Sequence, residues 1–212
     1  RGGKEVRNIV KVLGALAIAL ILVMQGPNTY AVRRQGPRNE PPYLTPMGPT
    51  ITVTSAGASV GLGWSTGTVT VSASDSTIVG AGGTDWQTEE TATRIGVGMS
   101  LIVNGDYRYP LLITDITDGT HIEISGFPPE HLAGAGLSYV IGLTPNVDYI
   151  LTTNANVYFL VGAVGVTAID GASQYLGMNQ SWAITPYWNK LFVAVIPVGG
   201  AGACVLRVTP CE

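Results

Sequence analysis

Residues 100–105 read SLIVNG, a short apolar strand followed by the Asn-Gly pair that most often closes a two-residue β-hairpin. The chain is expected to return over Tyr107–Thr114 and to turn again at Asp118-Gly119. Upstream, residues 68–71 read TVTV, an alternation that points both valines to one face of a strand. Repeated short strands with turn signals between them predict a small antiparallel barrel or sandwich.

Residues 66–142 are therefore expected to form a first β module. Its further predicted strands are Thr77–Gly80, Thr120–Ser125 and Leu137–Ile141. Gly80, Gly82 and Gly83 permit a tight bend before Trp86. We expect Trp86 to cap the core with its indole N–H on a carbonyl oxygen, and stacking on a sugar is the alternative.

A long loop, residues 127–132 (FPPEHL), connects two predicted strands of this module. Loops on a rigid scaffold commonly carry contacts with partners. The sequence therefore offers a candidate interface loop at Phe127, Pro128, Pro129 and His131.

Residues 143–212 are expected to form a second β module, a sandwich or jelly roll. Its predicted strands are Val147–Leu151, Val157–Val161, Ser181–Ile184, Leu191–Ile196 and Cys204–Thr209.

If the chain between Cys204 and Cys211 is extended, the two residues are roughly 23 Å apart, beyond the reach of a disulfide unless a turn at Pro210 intervenes.

Five segments of the first module together resemble a small β module of tailed-bacteriophage structural proteins, found in tail fibres and in head or neck accessory proteins. They are GTVTV (67–71), TIVGAGGTDW (77–86), IGVGMSLIVNG (95–105), YPLLITDITDGT (109–120) and AGAGLSYVI (133–141). One departure is Met99, where the family often has an acidic residue. The run GGAGACVLRVTP (199–210) is similar to the end of sandwich domains in capsid-decoration and fibre proteins. The resemblance implies a virion component. Because symmetric oligomers are the default for such components, a trimer or a ring is expected.

Residues 1–26 contain thirteen consecutive apolar or small residues, VLGALAIALILVM (12–24), and are expected to form a hydrophobic helical anchor. Three interpretations stay open: a helix enclosed by protein, a membrane helix over residues 9–24, and an uncleaved signal. The span of 9–24 is shorter than the roughly 20 residues that a bilayer core needs, and Lys11 interrupts it. The expected assembly residues are Val12, Leu13, Ala15, Leu16, Ala19, Leu20 and Val23.

Residues 27–65 follow as a proline-rich arm or linker. Residues 1–40 hold seven basic and two acidic side chains (+5), whereas the remainder holds four basic and twelve acidic ones (−8), which sums to the net charge of −3. Arg33, Arg34 and Arg38 are expected to contact acidic groups of a neighbour or phosphates. Because the body of the chain is acidic, a nucleic-acid partner is not expected.

The sequence lacks the motifs of a P-loop, a nucleophile elbow or a zinc protease, so no catalytic residue, cofactor or metal is predicted. His121 and His131 are the two histidines and could serve as bases at neutral pH. For His121, a role as a surface or packing residue is favoured over a catalytic one. Acidic residues on two predicted turns could hold calcium, although solvated turns commonly carry acids.

Charged residues make up 12% of the chain, about half the usual share, so burial against partners is expected. We therefore expect a mainly β, non-enzymatic virion structural protein. It would assemble with copies of itself and other virion proteins through its helix and arm, and display its β modules on a capsid, neck or tail surface for decoration or attachment. The alternatives are a membrane-anchored or pilin-like extracellular protein, and a carbohydrate-binding domain with Trp182, Tyr187 and Trp188 in one groove.

Overall fold

A computed structural model describes residues 49–92, 94–200 and 202–211. Its strands are β1 (Ile51–Ser55), β2 (Val60–Leu62), β3 (Thr68–Val71), β4 (Thr77–Ala81), β5 (Ser100–Val103), β6 (Leu111–Ile116), β7 (His121–Ile124), β8 (Gly134–Leu137), β9 (Tyr139–Gly142), β10 (Asp148–Thr153), β11 (Val157–Gly162), β12 (Gln174–Leu176), β13 (Ser181–Ile184), β14 (Phe192–Pro197) and β15 (Cys204–Cys211). Helix α1 spans Trp86–Thr91, and 3₁₀ turns span Glu130–Leu132 and Val198–Gly200. The fold is mainly β, as the sequence predicts. The predicted helical anchor and the arginines of the arm lie outside the described residues.

Two four-stranded antiparallel sheets form a sandwich-like unit. Sheet A has the order β1-β15-β10-β13, and sheet B has the order β12-β11-β14-β2. Every second side chain of β1, β10, β11 and β15 is buried, which is the pattern of strands with one face on a core. Phe159 of β11 meets Trp182 of β13 with their ring centroids 5.9 Å apart, which places the inner faces of the two sheets against each other.

Strands β1 and β2 lie within the segment predicted as a proline-rich arm. Ile51 of β1 pairs with Val208 of β15, and Leu62 of β2 pairs with Val193 of β14. The side chains of Ile51, Val53 and Leu62 are buried. The last part of that segment is strand because its apolar positions complete both sandwich sheets.

The strands between β2 and β10 form a seven-stranded antiparallel sheet of order β8-β3-β4-β7-β6-β5-β9. Only Ser138 separates β8 from β9, so one chain segment pairs with β3 in its first half and with β5 in its second half. This arrangement curls the sheet into a half-barrel. The predicted strand Leu137–Ile141 is thus divided between two strands.

The Asn-Gly turn forms where it is predicted, but the two-residue hairpin is wrong, because residues 104–110 form the connection between β5 and β6. Asn104 and Gly105 have φ values of 50° and 69°, and the Asp106 N–H donates to the Val103 carbonyl at 2.9 Å. The returning strand, however, begins at Leu111 instead of Tyr107, because Pro110 lacks a donor for the ladder and the preceding residues form a loop of their own.

Trp86 is fully buried, which excludes the sugar-stacking alternative. Its indole N–H donates to the hydroxyl of Tyr139 at 3.0 Å, and that hydroxyl donates to the Thr66 carbonyl at 2.6 Å. The predicted carbonyl partner is therefore wrong: a tyrosine hydroxyl stands between indole and carbonyl. Burial raises the pKa of Tyr139 to about 12, so the hydroxyl stays protonated at neutral pH. Asp85 caps α1 by accepting from the Thr88 N–H.

The half-barrel and the sandwich are joined by backbone and side-chain contacts. Trp64 and Ile141 exchange two backbone hydrogen bonds of 3.0 and 2.7 Å, and the Leu143 N–H donates to the Leu191 carbonyl at 2.9 Å. A small hydrophobic cluster also spans the junction. Its members are Ile102, Leu191 and Phe192, with Tyr107, Val140 and Val166 packed against them.

Substitution of Gly63 by alanine tests this junction. Gly63 has φ +114°, and a Cβ there would lie 1.9 Å from Cδ1 of Phe192. Backbone strain and overpacking together are expected to lower the free energy of unfolding by about 2–5 kcal/mol, measured by urea denaturation. Gly96→Ala is the control, since nothing lies within 4 Å of its Cβ position. Equal losses in the two variants would show that Phe192 does not set the requirement for glycine.

Candidate functional site

The predicted interface loop is held by two apolar anchors. Pro128 and Leu132 are buried, and the Leu132 N–H donates to the Pro129 carbonyl at 2.9 Å in a single 3₁₀ turn. Between these two anchors the side chain of His131 is exposed to solvent. Phe127, which directly precedes Pro128, is 69% exposed. Of the four predicted residues, Phe127 and His131 are therefore accessible, Pro129 is half-buried, and Pro128 supports the loop from inside.

The loop between β5 and β6 brings three more side chains to the same place. Asp106 accepts from Nε and Nη2 of Arg108 at 2.8 and 2.9 Å, and its Oδ2 lies 3.4 Å from Nε2 of His131. The rings of Tyr109 and His131 meet edge to face with centroids 4.7 Å apart. The Ser125 N–H donates to the Leu112 carbonyl, which places Phe127 at this same end of the half-barrel. We call Asp106, Arg108, Tyr109, Phe127 and His131 the barrel-end surface.

The charges of the barrel-end surface are paired before any partner arrives. The Arg108 guanidinium donates to Asp106 and holds the pKa of that carboxyl at about 2, well below its usual range, while Asp106 raises the pKa of Arg108. The Arg108 guanidinium carbon also lies 5.7 Å from the Tyr109 ring centroid, within cation–π range. The barrel-end surface thus consists of aromatic rings and one arginine whose guanidinium is held by two hydrogen bonds to Asp106.

The other histidine, His121, is the first residue of β7 and follows the β6–β7 turn directly. His121 Nδ1 lies 2.9 Å from both oxygens of Asp118, and Asp118 also accepts from the backbone N–H of Thr120 at 2.7 Å. The Thr120 hydrogen bond is the main reason that the pKa of Asp118 falls to about 2. Within the part of the chain that the structure describes, no group of three His, Cys, Asp or Glu residues is placed to hold a metal ion.

The three aromatic residues considered for carbohydrate binding do not meet in one groove. Trp182 is half-buried and packs on Phe159 inside the sandwich. Tyr187 and Trp188 lie in the β13–β14 turn, where they are 58% and 53% exposed and contact each other with ring centroids 5.6 Å apart. Trp188 has φ +50°, a backbone conformation that bulky residues rarely adopt. The turn therefore displays an aromatic pair at a cost in backbone strain.

An open groove of about 370 Å³ runs between β2 and the β11–β12 loop. Its walls include Trp64, Arg94, Val166 and Phe192. Arg94 extends Nη1 to within 3.4 Å of the buried carboxylate of Glu89, whose pKa is raised by burial. Sequence reasoning missed this groove, because β2 and the residues around Arg94 and Val166 are far apart in the chain.

Cys204 and Cys211 lie at the two ends of β15, and both thiols are free and buried. An extended strand separates them, as the sequence analysis considered. Burial raises the pKa of both thiols, so neither has the low pKa of a reactive cysteine.

Comparison with known proteins identifies no relative: no protein-family model, no curated protein and no solved structure matches the chain. Among the described residues, no helix is long and apolar enough to cross a membrane.

Replacing Asp106 by asparagine tests the contacts of the Asp106 carboxylate with Arg108 and His131. Because the folded-state pKa of Asp106 is lowered, its ion pairs stabilise the fold above about pH 4 and are lost as the pH falls through about 2. We expect the melting temperature of the wild type to exceed that of Asp106→Asn at pH 5–7, and the difference to vanish towards pH 2. Asp170→Asn, at an exposed position, is the control. A difference that does not change with pH would contradict the role of the carboxylate charge.

Proposed function

We propose that this chain is a non-enzymatic virion structural protein. It assembles with copies of itself and with other virion proteins, and it contributes its two β modules to a capsid, neck or tail surface. The observation that carries the proposal is the barrel-end surface, in which two loops of a rigid sheet present Phe127, Tyr109 and Arg108 in a fixed arrangement.

The composition of that surface is typical of a protein–protein contact. Aromatic residues and arginine are enriched among the residues that contribute most to binding energy. Phe127 is 69% exposed, so a partner that covers it removes a large apolar area from water. Because the Arg108 fork and the Tyr109–His131 ring contact already fix the neighbouring side chains, little side-chain entropy is lost on association.

The architecture supports a role as a building block. The half-barrel is inserted between β2 and β10 of the sandwich, so two chain crossings connect the modules, and the Trp64–Ile141 hydrogen bonds tie the crossings together. Two chain segments, instead of one linker, thus connect the half-barrel to the sandwich. Residues 12–24 and the arm arginines Arg33, Arg34 and Arg38 are proposed to make the remaining assembly contacts.

Purified particles provide the direct test. Particles banded from the source culture should contain the 22.1-kDa chain in a constant ratio to their other proteins, measured by quantitative mass spectrometry. The full chain alone should sediment as a multiple of 22.1 kDa in detergent-free buffer. Recovery of the chain only with cell envelopes, together with flotation on protein-free vesicles, would instead support the membrane-tethered alternative. A soluble monomer absent from particles would overturn the proposal.

Carbohydrate binding is the second candidate function, and the exposed Tyr187–Trp188 pair favours it. Exposed aromatic faces that are held in place can stack on sugar rings. The strained backbone at Trp188 agrees with selection for the ring at this position, since strain persists where function requires it.

Trp188→Gly separates the function of the ring from its contribution to stability. Glycine adopts φ +50° without strain, so we expect this variant to unfold no more easily than the wild type in thermal melts. Glycan-array binding, if the pair serves it, should be lost. Trp182→Ala is the matched control, because truncating a half-buried Trp that packs on Phe159 should cost about 3 kcal/mol. Glycan binding that survives Trp188→Gly would exclude this site.

A further inference from the structure

Asn104 is the only asparagine of the chain that is followed by glycine. The backbone nitrogen of the residue after an asparagine can attack the asparagine side chain, and glycine hinders this attack least because it has no Cβ. The dipeptide directly follows β5, at the start of the connection to β6. That connection also carries Asp106, Arg108 and Tyr109 of the barrel-end surface, so a reaction at Asn104 would act on this surface.

The backbone nitrogen of Gly105 is accessible and unpaired. Gly105 is exposed, and nothing lies within 4 Å of the position that a Cβ would take there. The N–H groups on either side are engaged, since Asn104 donates to the Ser138 carbonyl at 2.8 Å and Asp106 donates to the Val103 carbonyl at 2.9 Å. Within the described ranges, the Gly105 N–H donates to no acceptor. Attack by this nitrogen therefore breaks no backbone hydrogen bond of its own.

The side-chain amide of Asn104 is held by one exposed contact. Its Oδ1 accepts from Oγ of Ser138 at 3.1 Å, and the residue itself is exposed. In Asn154 and Asn156, by contrast, Oδ1 accepts a backbone N–H from a distant part of the chain, at 2.8 and 2.9 Å. Because water replaces an exposed hydrogen bond between two side chains at little cost, the Asn104 amide can turn towards the Gly105 nitrogen.

We propose that Asn104-Gly105 is a site of spontaneous deamidation through a cyclic imide. The Gly105 nitrogen forms a bond to Cγ of Asn104, the bond between Cγ and Nδ2 breaks, and ammonia leaves with the proton that the Gly105 nitrogen gives up. Water then adds to one of the two carbonyl carbons of the succinimide ring and opens it to aspartate or isoaspartate. The sequence consumes one water, releases one ammonia and requires no oxidant, metal or second protein.

Both products change the loop that carries the barrel-end surface. Each adds a negative charge at position 104, two residues before Asp106, whose own charge is already paired with Arg108. Isoaspartate also routes the main chain through the side-chain carbons and lengthens it by one carbon atom. That extra atom falls within the turn that the hydrogen bond from Asp106 to Val103 closes. The neutral turn of a newly made chain thus becomes acidic with age, and the change does not reverse by itself.

Peptide mapping of the full folded chain tests the reaction. The purified protein is incubated at neutral pH, and mass spectrometry follows the fractions of aspartate and isoaspartate at position 104 with time. Asn146 and Asn179 are internal controls, because both are exposed and have φ values of 62°, close to the 50° of Asn104. They are followed by Val147 and Gln180, whose side chains hinder the attacking nitrogen. We expect Asn104 to react at least about tenfold faster than either control.

The same measurement on the chain unfolded in guanidinium chloride shows whether the fold permits the reaction. Because one exposed hydrogen bond restrains the amide, the folded chain should react within about tenfold of the unfolded rate. Ser138→Ala removes that restraint and should react about two- to fivefold faster than the wild type, whereas Ser138→Thr keeps a hydroxyl and should react as the wild type does. Thermal melts of both variants separate a released side chain from a loosened fold.

Two results would overturn the assignment. One is a folded chain in which Asn104 stays intact while the unfolded chain reacts, since the turn would then hold the amide away from Gly105. The other is a rate at Asn104 equal to the rates at Asn146 and Asn179. An unchanged rate in Ser138→Ala would overturn the restraint assigned to Ser138. The reaction does not depend on the proposed function, because every measurement follows the isolated chain.

Discussion

The packing of Phe192 against Gly63 is the constraint on which the two modules depend. The ring fills the space that any side chain at position 63 would occupy, so the chain can pass from the sandwich into the half-barrel only with a glycine there. That passage fixes Trp64 against Ile141, which is the point where the chain leaves the half-barrel again. Entry and exit are therefore adjacent, and the half-barrel is held as an insertion in the sandwich.

The local β structure could be predicted from sequence where the signal is local. Asn104-Gly105 forms the predicted turn, and Val69 and Val71 share a buried face as their alternation indicates. Strands β1 and β2 could not be assigned to the sandwich in the same way, because Ile51 pairs with a residue more than 150 positions away and prolines dominate the segment before it. Helix α1 was missed, although Asp85 before an acidic stretch is an N-cap signal. The predicted N-terminal anchor remains a prediction.

The residues of the candidate site could likewise be predicted only where the sequence signal is local. Phe127 and His131 were predicted because a long loop with two prolines interrupts regular strands. Their neighbours Arg108 and Tyr109 lay inside the predicted returning strand, and Asp106 lay directly before it, although Pro110 was a signal against that strand. The two loops meet because β6 and β7 pair, and that pairing brings residues about 20 positions apart to one end of the half-barrel. The sequence alone therefore indicated the loop, but not the contacts of Asp106 with Arg108 and His131.

The low overall charge takes on a different meaning once the strands are placed. As a bulk property, 12% charged residues indicated only that some surface is covered. In the structure the four strands of sheet B carry no charged residue, whereas sheet A has Asp148 and Arg207 on its outer face. Two sheets of one sandwich share the same core and the same solvent, so the core cannot account for the difference between their outer faces. The two outer faces therefore differ in charge, although both contain apolar residues, since Ile150 and Val205 are outward on sheet A.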